Sequence, residues 1–130
     1  MASRYIAFVT GALVFLVLAP VLAQSHGEWI GVDDPAELRA LVADRTFKDG
    51  WGTKSYFRVD GKGLVVHPAG TRVRRTWEVK GKDLVCATAD AGGTECWRVQ
   101  RHRQDAGKVQ FVYENGVIMF QTVEAGVADF

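Results

Sequence analysis

Hydrophobic residues change their spacing twice along this chain. From Ile6 to Leu18 every residue except Thr10 and Gly11 is apolar, and Pro20 ends the run. Between Asp34 and Ala43 the apolar positions recur at i, i+3 and i+4, and beyond Thr46 they alternate with polar ones. Each regime predicts a different element. The first resembles a leader. Met1 to Tyr5 holds Arg4 and no acid, and Val21-Leu22-Ala23 precedes Gln24, so a basic start, an apolar core and a small-residue end describe a signal peptide over residues 1–23. The alternative is an uncleaved anchor, since Ile6 to Ala23 just reaches the roughly 18 residues that can span a bilayer. Cleavage leaves residues 24–130, enough for a single domain.

The second regime is a short helix. Asp34 suits the N-cap, Pro35 the first helical position, and Glu37 the third residue of a capping box. Leu38, Leu41 and Val42 make one narrow apolar face, which predicts a helix from Pro35 to Ala43 that packing must hold. Residues 24–33 ahead of it form an arm in which Trp29 and Ile30 are candidate anchors.

The third regime predicts strands: Thr46-Phe47, Ser55–Val59, Gly63–His67, Thr71–Val79, Asp83–Thr88, Glu95–Arg101, Lys108–Glu114 and Val117–Val123. Glycine-rich turns separate them, and Asn115-Gly116 has the composition of a type I′ hairpin turn. Short turns join sequential neighbours, so the sheet is an antiparallel meander. This many strands in one small domain favour closure over two exposed edges. The predicted fold is mainly β, a small up-and-down barrel with the helix over one end; a two-sheet sandwich is the alternative. Alternation places Phe57 and Val59, then Val73, Arg75, Trp77 and Val79, then Trp97 and Val99, and finally Val109, Phe111 and Tyr113 on inner faces. Arg75 is the odd member. Facing inward it makes an anion site at a barrel mouth; after a one-residue register slip it lies outside or at the rim.

Composition narrows the function. Lys and Arg number 16 against 15 Asp and Glu, and Arg4 in the leader accounts for the net charge of +1. That balance gives no reason to expect nucleic acid as a partner. Arg98, Arg101, His102 and Arg103 could join Arg72 and Arg74 in a basic patch if their strands are neighbours; otherwise they are solvated surface. Cys86 and Cys96 are an even pair in an exported chain, which predicts a disulfide, and their spacing matches neither a C-x-x-C redox pair nor a zinc site. His26, His67 and His102 are scattered over different elements, so no metal site is expected. No P-loop, dinucleotide fingerprint, haem attachment or nucleophile elbow occurs, so neither a cofactor nor catalysis is expected.

Two family resemblances add to this reading. Thr76-Trp77-Glu78-Val79-Lys80-Gly81-Lys82-Asp83-Leu84-Val85-Cys86, followed by Glu95-Cys96-Trp97-Arg98-Val99, resembles a pattern in small exported bacterial lipocalin-like domains. It implies a barrel and a disulfide and assigns no catalytic residue. Trp77 to Gly81 is also similar to a stretch of the bacterial inhibitors of secreted metalloproteases, which act through an N-terminal arm. The expected function is a non-enzymatic, monomeric, periplasmic or secreted module that binds a small amphipathic or anionic ligand or a cell-envelope component. Phe57, Trp77, Trp97, Phe111 and Tyr113 would line the site and Arg75 would orient the ligand. The alternative is a protein-interaction module such as a protease inhibitor, and contact with a membrane is expected only if the leader is retained.

Overall fold

The structure, a computed structural model, describes residues 27–130. Residues 1–23, predicted to be a leader, and His26 lie outside the described residues. The chain from Gly27 onward forms β1 (Trp29–Gly31), α1 (Pro35–Val42), β2 (Arg45–Asp49), β3 (Lys54–Phe57), β4 (Lys62–Val66), β5 (Arg72–Lys80), β6 (Leu84–Ala89), β7 (Thr94–His102), β8 (Lys108–Tyr113) and β9 (Ile118–Ala125). Strands β2 to β9 pair antiparallel with their sequential neighbours, and β9 returns to β2 through Arg45↔Ala125 to Asp49↔Gln121. The result is a closed eight-stranded up-and-down barrel, the predicted fold with no free edge inside the ring. The sandwich alternative is excluded by that closing pair.

Helix α1 begins as its sequence dictates. The Asp34 carboxylate accepts from the Glu37 N–H at 2.9 Å, Pro35 occupies the first turn, and Ala43 is the C-cap rather than a helical residue. Leu38 and Val42 are fully buried among Val32, Phe47 and Phe57. The Glu37 side chain lies 3.6 Å from Arg101 of β7. Asp44 then links the helix to the ring: it accepts from the Val59 and Gly126 N–H groups and donates to the Phe57 carbonyl. Its φ of 55° is a left-handed conformation that aspartate tolerates better than most side chains. Helix α1 therefore closes the end of the barrel where β2 starts and β9 finishes.

The opposite end carries four hairpin turns: 49–53, 67–71, 89–93 and 113–117. All close in the same way. At the last, the Gly116 N–H donates to the Tyr113 carbonyl at 2.9 Å and the Tyr113 N–H to Val117 at 2.9 Å. Gly116 has φ 87° while Asn115 keeps a negative φ, so this is a turn with a glycine bulge and not the expected type I′. Gly52, Gly70 and Gly92 occupy the same place in the other three turns. This end of the barrel is therefore rimmed by four tight turns and carries no long lid.

Three expectations are corrected. Val59 does not share the inner face with Phe57: β3 ends at Phe57, and Val59 sits 67% exposed in the next turn. The arm is partly a strand, because Trp29, Ile30 and Gly31 pair with His102, Arg101 and Gln100 of β7. The strand after the helix runs the full length Arg45–Asp49, and not Thr46-Phe47 alone.

Cys86 and Cys96 are direct register partners on β6 and β7, with Cα atoms 4.1 Å apart, and form the disulfide. Converting both to alanine should lower unfolding free energy by about 2–3 kcal/mol, the chain-entropy value for so short a loop. Urea unfolding in the presence and absence of reductant measures it: the reduced parent and the double variant should share one midpoint below that of the oxidised parent.

Candidate functional site

Period-two alternation along β5 puts Val73, Arg75, Trp77 and Val79 on one face, and the barrel turns that face inward. Each is less exposed than its outward neighbours Arg72, Arg74, Thr76 and Glu78. No bulge intervenes, since Arg75 pairs in register with Gly63 of β4 and Ala89 of β6. Two small residues therefore flank it in the wall. A Cβ on Gly63 would come within 3.2 Å of Arg75 Cγ and 3.3 Å of the Tyr56 carbonyl. The missing side chain is the notch that admits the arginine stem.

Beneath the guanidinium lies an aromatic floor. Arg75 Cζ sits 5.1 Å from the Phe57 ring centroid and 5.7 Å from that of Trp97. Trp97 stacks in turn on Phe111 at 5.2 Å and Tyr113 at 5.7 Å. Cation–π attraction offsets part of the cost of removing the charge from water. It does not supply hydrogen bonds. Arg75 Nε is sealed from solvent with no partner, and so is Trp97 Nε1. The ion pairs among the described residues do not involve Arg75. Buried donors are normally satisfied, so two orphans on side chains in contact with each other are unusual.

Both residues line a cavity of about 210 Å³ at the mouth, together with Asp49, Ser55, His67, Glu95, Phe111, Tyr113 and Gln121. A second hollow of about 330 Å³ shares Val65, His67, Arg75 and Glu95 with it and reaches Gly92 and Gly93. The first alone holds roughly seven waters' worth of volume at about 30 Å³ each, a space for a small molecule. Desolvation pushes the Arg75 pKa below its ordinary value, and Tyr113 and Glu95 pull it back; the guanidinium stays charged. Burial, with the Glu95 charge adding to it, raises the Tyr113 pKa, so the phenol enters the cavity as a neutral donor.

Of the residues singled out in the sequence, Arg75, Trp97, Phe111 and Tyr113 meet at the cavity. Phe57 supports Arg75 from below. Trp77 does not belong to the mouth: its Nε1 donates to the Arg58 carbonyl at 2.7 Å, toward the closed end. The proposed basic patch is not formed. Strand β6 separates β5 from β7, and antiparallel pairing puts Arg72 and Arg74 near the mouth while Arg101, His102 and Arg103 lie near the opposite end. His67 stands at the mouth and His102 beside Trp29 at the far end of β7. No cluster of three metal-ligating side chains occurs among the described residues. Nor is any helix among them long and apolar enough to cross a membrane.

Sequence reasoning missed Glu95, Asp49 and Gly63. Alternation from Trp97 would have placed Glu95 on the inner face. Asp49 shares the inward face of Phe47 two residues before it, but the expected strand stops at Phe47, and its carboxylate accepts from the Trp51 and Thr53 N–H groups, a turn role that hides its place at the mouth. No family model matches the chain, and neither a similar characterised protein nor a similar solved structure is found.

Two measurements check the electrostatics. An unpaired buried charge costs stability, and an apolar residue of similar volume removes that cost. Arg75→Met should therefore raise unfolding free energy by about 1 kcal/mol or more; a comparable loss in urea unfolding would make Arg75 a satisfied structural residue. The raised Tyr113 pKa favours the neutral phenol in the folded state. Its stabilisation is complete below the ordinary tyrosine pKa of about 10 and is lost as pH rises through the higher folded value. Ultraviolet titration should show one phenol ionising above that ordinary value, and Tyr113→Phe should remove that step.

Proposed function

We propose that this protein is a non-enzymatic binding module whose barrel mouth takes a small amphipathic or anionic ligand or a cell-envelope component. One observation carries the reading: Arg75 and Trp97, whose Nε and Nε1 are sealed and unpartnered, both line one open cavity. A carboxylate or phosphate in that cavity would pair with the Arg75 guanidinium fork. The aromatic floor suits an adjoining apolar portion. At the rim, Trp51 is 80% exposed and Ile118 47% exposed, apolar surface that a ligand's tail or an envelope component would cover.

Four short turns hold the mouth open, so the site needs little ordering on binding, and pre-organised sites lose less affinity to entropy. Ser55, His67, Asp49 and Glu95 share the cavity, but the Asp49 carboxylate serves the turn N–H groups, and the unpaired guanidinium calls for a bound acceptor, which favours binding over chemistry. The inhibitor alternative is weaker, because Trp29 to Gly31 are already paired onto β7. In this reading residues 1–23 export the chain to the periplasm or beyond, and the disulfide fits that destination. The lipocalin-like resemblance belongs to the same proposal.

Native mass spectrometry of the protein purified from its own compartment tests the function. A small molecule should accompany the parent and be absent from Arg75→Ala. Retention of the same mass by the folded variant would remove Arg75 from the site.

A further inference from the structure

The charges around the mouth constrain the ligand more closely than its size does. Among the described residues Arg75 is the only lysine or arginine lining either mouth hollow, whereas Glu95 and Asp49 both line the inner one. Glu95 is exposed at the rim and forms none of the ion pairs found among the described residues. Arg75 lies deeper and is equally unpaired. Two opposite charges thus stand at different depths of one small cavity without touching each other.

A simple anion would satisfy Arg75 but would have to settle beside one or two carboxylates. Like charges brought together in a partly desolvated space work against binding. A simple cation would satisfy Glu95 and leave the partly buried Arg75 guanidinium unpaired, the costlier of the two defects. A molecule carrying both charges meets neither problem. Resting on the binding function above, we propose that the ligand is a small zwitterion, its carboxylate held by the Arg75 guanidinium and its ammonium turned outward to Glu95.

The inner carboxylate takes the donors in the place where water is scarcest, and the apolar spacer lies over Phe111 and Trp97. Tyr113 and Gln121, which line the same cavity, offer further polar contacts along the spacer. Asp49 adds a second negative charge to the cavity lining, with one oxygen accepting from the Trp51 and Thr53 N–H groups.

A matched panel tests this: ω-amino acids from β-alanine to 6-aminohexanoate, the fatty acids of the same chain lengths, and the corresponding alkylamines. Binding is followed through the Trp97 indole N–H signal in nitrogen-15 NMR spectra, which also report whether each variant is folded. At least one amino acid should bind the parent about tenfold more tightly than its matched acid, the effect expected of one partly desolvated ion pair. Glu95→Gln should close that gap by weakening the amino acid and strengthening the acid. Arg75→Gln should abolish binding of both. A parent that binds the acid as tightly as the amino acid overturns the zwitterion and leaves the binding function standing. A panel in which nothing binds, or in which binding ignores Arg75→Gln, overturns both. Should Arg75→Gln not fold, Arg75→Met takes its place, and Glu95→Gln, at an exposed position, still decides the zwitterion.

Discussion

A guanidinium set into the inner wall of a closed barrel is the constraint around which the rest of this molecule is arranged. Arg75 stands in an otherwise apolar row, so the strands beside it must make room and the rings beneath it must compensate for lost water. Gly63 and Ala89, its register partners, make the room. Phe57 and Trp97 face the cation from below. Neither arrangement gives Nε a hydrogen bond, and the shortfall lies at the turn-rimmed end of the barrel.

The two ends of the barrel differ for local reasons. At one, an Asp34-capped helix of 8 residues lays Leu38 and Val42 onto the core, and Asp44 ties the helix exit to Phe57, Val59 and Gly126. That end is sealed by apolar burial, the larger stabilising force in a domain of this size. At the other, strands meet in pairs through turns that each end on a left-handed glycine. Such turns are short and hydrogen-bonded within themselves, so they frame an opening and do not fold over it. Polar side chains on the last inward positions of β2, β3 and β7 then face a shared hollow: Asp49, Ser55 and Glu95.

Much of the fold was legible from residue order alone. The helix start rests on Asp34, Pro35 and Glu37, whose effects are local. Strand faces follow from a period of two, which assigned Phe57, Trp77, Trp97, Phe111 and Tyr113 to the interior without knowing what they would touch. The failures were local too. Val59 was misplaced because alternation continued through a turn, and Asn115-Gly116 because the composition of one turn type also serves another. Three residues are too few for a periodic signal, so β1 was invisible.

The sequence by itself determined which residues lie on which side of each strand, where the chain turns, and that Cys86 and Cys96 can be joined. Only the tertiary structure decided the register with which β9 closes onto β2, that β1 joins β7, and at which end of the ring each side chain finishes. It separated Arg72 and Arg74 from Arg101 and Arg103, sent Trp77 toward the closed end, and brought Glu95 and Asp49 to the mouth with Arg75. Alternation is a property of neighbours a few residues apart, whereas a cavity forms where strands distant in sequence fail to fill the same space. The notch at Gly63 and the two unpartnered donors exist only once that ring has closed.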